Sequence, residues 1–152
     1  MKRIIVTGGS GFIGSNLVNY LIDKKYFVIN VDKLTYSSNK LAHKSKNKKN
    51  YRFYKLDIND KKKLKKIIIK YKPTAIFNLA AETHVDRSID GPKKFISTNI
   101  FGTFSLLEVL RELKKIKIKP KLIHVSTDEV YGDIKKNKKS DENHKYEPSS
   151  PY

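Results

Sequence analysis

The sequence predicts an α/β protein whose parallel sheet is wound with helices on both faces, and three observations carry that prediction. Short apolar runs at residues 3–7, 26–31, 51–56, 74–79 and 121–127 alternate with stretches in which apolar residues recur at helical spacing. The first run leads straight into Gly8-Gly9-Ser10-Gly11-Phe12-Ile13-Gly14. An acidic residue, Asp32, closes the second. Strand, glycine turn, helix and terminal acid, in that order, specify a doubly wound, Rossmann-type sheet.

Composition bounds what such a sheet could serve. At 152 residues the chain has room for one core, and 38% hydrophobic content separates it from disordered chains despite 32% charged residues. Cysteine is absent, which excludes disulfides, thiolate catalysis and thiolate metal sites and fits a reducing compartment, the cytoplasm. Behind Met1-Lys2-Arg3 only residues 4–7 precede the first glycine, too few for a signal-peptide core, and no run approaches a membrane span. The net charge of +18 invites a nucleic-acid partner. Yet only Arg3, Arg52, Arg87 and Arg111 are arginines, and the lysines are dispersed over many segments. Solvated lysine faces, with neither nucleic acid nor membrane as partner, are the expectation.

Residues 3–7 form the first strand, and Ile13, Leu17 and Leu21 recur at helical spacing behind the glycines, so a helix follows. Glycines allow the backbone to turn tightly and approach a pyrophosphate, while the helix amino terminus offers unpaired N–H groups. The spacing G-x-x-G-x-x-G departs from G-x-G-x-x-G, and the flanking strand, helix and acid give it meaning. The second strand, 26–31, delivers Asp32, whose carboxylate would accept hydrogen bonds from adenosine ribose hydroxyls and repel a 2′-phosphate. The expected dinucleotide is therefore NAD rather than NADP, with Lys33 partly offsetting the repulsion. Residues 34–50 read as a long polar loop with a short helical piece.

The third strand, 51–56, ends at Asp57, which serves either as an acceptor for an adenine amino group or as the cap of the next helix. That helix, 60–71, carries Leu64, Ile67, Ile68 and Tyr71 on one stripe and lysines on the others, and Pro73 stops it. The fourth strand, 74–79, leads into Ala80-Ala81, small residues that let a flat ring such as a nicotinamide come close. His84 and Asp86 follow, short of a metal ligand set. Gly91-Pro92 opens a long helix over 92–115. Its apolar residues, Phe95, Ile96, Ile100, Phe101, Phe104, Leu107, Leu110 and Leu113, make a band wide enough to cover the sheet and still offer a face to a second copy. A homodimer through this helix is expected.

The fifth strand, 121–127, brings Thr127-Asp128-Glu129 to the carboxyl edge, where open parallel sheets bind ligands, and an alcohol beside two carboxyls suits acid/base chemistry. Adjacent side chains on an extended strand face opposite ways, so both carboxyls serve one substrate only if the strand ends at Thr127 and 128–131 turn or begin a helix. Beyond Gly132 the chain reads as polar loop to Tyr152.

Thr7-Gly8-Gly9-Ser10-Gly11-Phe12-Ile13-Gly14, Asp32-Lys33-Leu34-Thr35-Tyr36, Ala80-Ala81-Glu82-Thr83-His84-Val85-Asp86-Arg87-Ser88, Thr98-Asn99-Ile100, Ser126-Thr127-Asp128-Glu129-Val130-Tyr131-Gly132 and Pro148-Ser149-Ser150-Pro151-Tyr152 together resemble the extended short-chain dehydrogenase/reductases. Within them they are most similar to the dTDP-glucose 4,6-dehydratases, from which sugar-nucleotide 4-epimerases differ by usually lacking the Asp128-Glu129 pair. The resemblance implies a tightly bound NAD. Gly8, Gly11, Phe12, Ile13 and Gly14 would hold it at the turn; Asp32, Lys33, Leu34 and Thr35 after the second strand; Asp57 and Ile58 after the third; and Leu79, Ala80, Ala81, Thr83 and Thr98 further on. Thr83 and Thr127 would touch a nucleotide-sugar substrate.

The reaction implied by the resemblance is dehydration of dTDP-glucose to the 4-keto-6-deoxy sugar, by C4 oxidation, elimination of water across C5 and C6, and hydride return to C6. Tyr152 would take the C4 hydroxyl proton while Thr127 holds that hydroxyl. Glu129 would take the C5 proton and Asp128 would protonate the departing C6 hydroxyl. In that family a lysine stands four positions after the tyrosine and a substrate domain follows. Residues 1–152 are thus expected to be an NAD-binding domain truncated before the last strands and the carboxyl-terminal substrate domain, inactive alone, with the residues that read the nucleotide base lying beyond 152. Two other readings stand beside this one: another NAD-dependent sugar-nucleotide epimerase or decarboxylase, and a non-catalytic dinucleotide- or nucleic-acid-binding module. The complete set of Thr127, Asp128, Glu129 and Tyr152 argues against the second.

Overall fold

The computed structural model describes residues 1–39, 49–134 and 138–152. Strands β1 (Arg3–Thr7), β2 (Phe27–Asp32), β3 (Tyr51–Lys55), β4 (Ala75–Asn78) and β5 (Lys121–His124) form one sheet in the order β3-β2-β1-β4-β5, every pairing parallel. Parallel strands covered on both faces need apolar side chains in both directions, and β1 shows how alternation divides them. Ile5 joins Leu64, Ile67 and Ile68 of helix α2 (Lys61–Tyr71) and Leu106, Val109 and Leu113 of helix α5 (Thr103–Lys114). Ile4 and Val6 join Val18, Leu21 and Ile22 of helix α1 (Phe12–Asp23). The doubly wound sheet expected from the sequence is present. Successive strands run outward from β1 to β3, then resume at β4 on the other side of β1. That reversal opens a crevice at the carboxyl ends of β1 and β4.

Local chemistry sets most boundaries. Asp60 caps α2 by accepting the Lys63 N–H at 3.0 Å, and Lys72 ends it in the left-handed region at φ 42°, immediately before Pro73. Asp57 is not the cap: its Oδ1 accepts the Asn59 N–H at 2.9 Å instead. In α1 the core residues are Val18, Leu21 and Ile22, with Leu17 half-buried, whereas Ile13 is 62% exposed. Because the helix begins at Phe12, Ile13 sits in its first turn, over the crevice rather than over the sheet.

Three expectations change. A short helix, α3 (Val85–Asp90), precedes Gly91-Pro92, and the long helix expected behind them is interrupted. It consists of α4 (Lys93–Phe95), a π-helical segment (Ile96–Gly102) and α5. Gly102 closes the widened segment at a place where an added Cβ would lie 2.5 Å from Ile58 Cδ1. β5 ends at His124, short of the expected Thr127, because its neighbour β4 ends at Asn78, the register partner of His124. Of the expected loops, 40–48 and 135–137 lie outside the described residues.

Candidate functional site

The turn after β1 is built on backbone contacts that a side chain would forbid. Gly8 has φ +68°, and a Cβ there would lie 2.5 Å from the Leu79 carbonyl oxygen, so the turn crosses directly over the start of the loop that follows β4. A Cβ on Gly14 would collide with the Gly8 carbonyl, so its absence lets the first turn of α1 seat against the glycine turn. Gly11, the cap residue, supplies no side-chain hydrogen bond. The first-turn N–H groups are thus left for an anion. Asn30 supports the turn from beneath, its Nδ2 donating to Ser10 Oγ at 3.3 Å and to the Tyr51 hydroxyl at 3.1 Å. Burial raises the Tyr51 phenol above its ordinary pKa.

A cleft runs along both sides of this turn. Asp32, Lys33, Thr35, Asp57, Ile58 and Thr98 line one half. Phe12, Ile13, Gly14, Thr83, Thr127 and Tyr152 line the other. Gly8, Gly11, Leu79, Ala80 and Ala81 border both, which makes the two halves continuous. One Asp32 oxygen accepts the Ser10 N–H at 2.9 Å and the other the Leu34 N–H at 2.7 Å. The carboxylate is held in place with a lone pair left on each oxygen. Leu34, expected among the residues that hold the cofactor, has its backbone turned to φ 59° and supports Asp32 through its N–H.

At the far end, β5 has stopped and Thr127 caps a 3₁₀ turn (Asp128–Tyr131), its Oγ1 accepting the Glu129 N–H at 3.2 Å. The expectation that 128–131 leave the extended conformation holds. Asp128 is exposed and Glu129 half-buried, and neither lines the cleft that Thr127, Val130 and Tyr152 border. Tyr152 reaches that wall because the tail folds back. Gly132, at φ +68°, passes against the Glu147 carbonyl where a Cβ would clash, and the Glu147 N–H donates to the Val130 carbonyl at 3.0 Å. The Tyr152 ring stands edge-on to Phe95 with centroids 6.3 Å apart.

Sequence reasoning missed the polar supports beneath the cleft. Thr7 Oγ1 donates to Asn78 Oδ1, and Asn78 Nδ2 lies 3.0 Å from His124 Nδ1, a ladder across the ends of β1, β4 and β5. Asn99 clamps the Glu82 backbone, accepting its N–H at 2.9 Å and donating to its carbonyl at 3.0 Å. A polar residue inside an apolar strand run, as at Asn30 and Asn78, was a readable sign of such a support; Glu82 and Asn99 carried none. Among the described residues no three His, Cys, Asp or Glu side chains gather as a metal site, and no helix is long and apolar enough to cross a membrane.

A sequence model of the family described as GDP-mannose 4,6 dehydratase matches residues 5–152. The dTDP-glucose 4,6-dehydratase of Haemophilus influenzae is 49% identical over 162 residues, covering 100% of this chain and 47% of the relative. A solved dTDP-glucose 4,6-dehydratase double mutant from Streptomyces venezuelae, with NAD and DAU bound, matches with a TM-score of 0.88 at 38% identity, over 99% of this chain and 47% of that one. A UDP-glucose 4-epimerase from Brucella ovis in complex with NAD matches with a TM-score of 0.85 at 28% identity, over 100% and 43%. The chain spans about half the length of the curated relatives it matches.

Proposed function

The chain belongs to the GDP-mannose 4,6 dehydratase family, and we propose that residues 1–152 are the NAD-binding domain of an enzyme that dehydrates dTDP-glucose to its 4-keto-6-deoxy sugar. The observation that carries this reading is the single cleft with a glycine turn and Asp32 at one end and Thr127 and Tyr152 at the other. NAD fits the first end: Gly8 and Gly14 let the turn pack closely on Leu79 and on the start of α1, which leaves the first-turn N–H groups at the cleft, and Asp32 offers two oriented acceptors. Gly8, Gly11, Asp32, Ala80 and Ala81 would hold it, and when bound it supplies the acceptor and later the donor of a hydride. Support for the substrate comes from the dTDP-glucose 4,6-dehydratase relatives.

Within this reading Tyr152 takes the proton of the sugar C4 hydroxyl, and the Thr127 hydroxyl, which accepts the Glu129 N–H and donates to Asp128 Oδ1 at 3.4 Å, turns its proton from Asp128 to the C4 oxygen when substrate binds. Glu129 removes the C5 proton and Asp128 delivers one to the departing C6 hydroxyl. These roles require a protonated carboxyl beside an ionised one. The 3₁₀ turn frees the two side chains from the opposite-facing geometry of a strand. The protein works in the cytoplasm as a homodimer, a reading supported by the exposed apolar band of Ile96, Ile100, Phe101 and Leu107 on the 93–114 helix.

Incubating the full-length protein with dTDP-glucose and with UDP-glucose tests the reaction. The expected outcome is a 4-keto-6-deoxy product from dTDP-glucose; an epimerised hexose instead would overturn the dehydratase reading. Asp128→Asn with Glu129→Gln should lower the elimination rate by about 10²–10⁴ while reduction of NAD by the substrate persists.

A further inference from the structure

Lys33 is the one cationic side chain lining the cofactor half of the cleft among the described residues, and it follows directly on Asp32. A free ammonium there could receive a ribose 2′-phosphate and cancel the repulsion that Asp32 provides. Its charge is engaged elsewhere. Lys33 Nζ donates to Thr98 Oγ1 at 2.8 Å and lies 3.5 Å from Glu82 Oε1 and 4.0 Å from Asp57 Oδ2. Glu82 has only 7% of its side chain exposed, and its second oxygen accepts the Tyr36 hydroxyl at 3.4 Å. A carboxylate so buried needs a counter-charge, and Lys33 is its ion-pair partner. The neighbouring cation, Arg87, lies over the Tyr36 ring at 4.4 Å. Glu82 lines neither half of the cleft and has no part in the chemistry assigned to Thr127, Asp128, Glu129 and Tyr152.

We propose that Glu82 makes the cleft select NAD over NADP by holding the Lys33 ammonium neutralised against Thr98, so that Asp32 meets a 2′-phosphate without a cation beside it. This rests on the cofactor reading above. Glu82 is a positioning residue: it acts on the dinucleotide only through Lys33, and removing its charge returns the ammonium to the cleft.

Dissociation constants of NAD⁺ and NADP⁺, measured by calorimetric titration of the full-length protein, test it. Glu82→Gln is expected to narrow the preference for NAD⁺ by about tenfold, the effect of one released charge near the phosphate. Glu82→Asp should keep most of the preference, and Glu82→Gln with Lys33→Met should restore it. An unchanged ratio in Glu82→Gln with NAD⁺ binding intact, or equal shifts in the Gln and Asp variants, overturns the inference. Should Glu82→Gln alone fail to fold, the double variant Glu82→Gln with Lys33→Met, which removes the pair without changing the net charge, decides: the ratio should match the native one, and a selective loss of NADP⁺ affinity would show that the ammonium already serves the phosphate and overturn the inference. A native protein that bound neither dinucleotide would overturn the cofactor reading itself, which separates the two failures.

Discussion

Gly14 and Gly8 meet where a methyl group does not fit, and that contact sets how closely the α1 amino terminus approaches the cleft. Forcing a side chain into such a site costs about 1–3 kcal/mol, so Gly14→Ala should lower the melting temperature and weaken NAD binding by about tenfold or more. Titration of the variant with NAD checks this; unchanged affinity would mean that the turn does not hold the cofactor. Residues of this kind were legible in the sequence because their role lies in the backbone itself, and a glycine between a strand and a helix has few other reasons to be there. Asp32 was legible for a related reason: the end of its strand places it. What was not legible at Leu34 is the N–H bond that steadies Asp32, because it depends on the positive φ of Leu34. Glu82 was invisible, since nothing in its neighbours in sequence announces Lys33 or Tyr36 as partners.

Helix α2 shows what an element takes from its ends. The Lys63 N–H bonded to Asp60 holds that carboxyl below the usual carboxylate range, with the Lys63 ammonium, 3.0 Å from Asp60 Oδ2, adding to the effect. A folded-state pKa lowered in this way contributes stability above the unfolded value, about 4, and loses it as pH falls through the folded value. Asp60→Asn keeps a cap acceptor but removes the titration. The variant should melt close to the native protein near neutrality and lose less of its melting temperature on acidification to about pH 3, as followed by circular dichroism. An identical acid response in both proteins would remove Asp60 from the account. Periodicity made α2 and the five strands readable, because a helix stripe or a strand run is a property of neighbouring residues. The π-helical break at Ile96–Gly102 was not readable. It presents Thr98 to Lys33 and Asn99 to the Glu82 backbone, partners that the periodicity of its own segment does not contain. The end of β5 was not readable either, because β4 determines it.

At the scale of the whole molecule, the 93–114 helix covers the sheet with Leu106, Val109 and Leu113 and leaves Ile96, Ile100, Phe101 and Leu107 on the surface, 40–60% exposed. If that band joins two copies, Ile100→Glu places a charge in an apolar interface and should shift the sedimenting species to a monomer while NAD affinity is retained. A dimer that persists in the variant would place the contact elsewhere. The unit of strand, glycine turn and helix, the acid closing β2, the lysine-covered α2 and the succession of five strands along the chain were determined by the sequence alone. Each rests on backbone conformation and on side chains a few residues apart. Where the charge of Lys33 is spent, where β5 stops, and how Gly132 lets the tail return so that Tyr152 shares a wall with Thr127 were decided only by the tertiary structure. Each of those depends on a partner far along the chain, and a hydrogen bond or ion pair reaches only a few ångströms, so only the fold that brings the partners together can settle it.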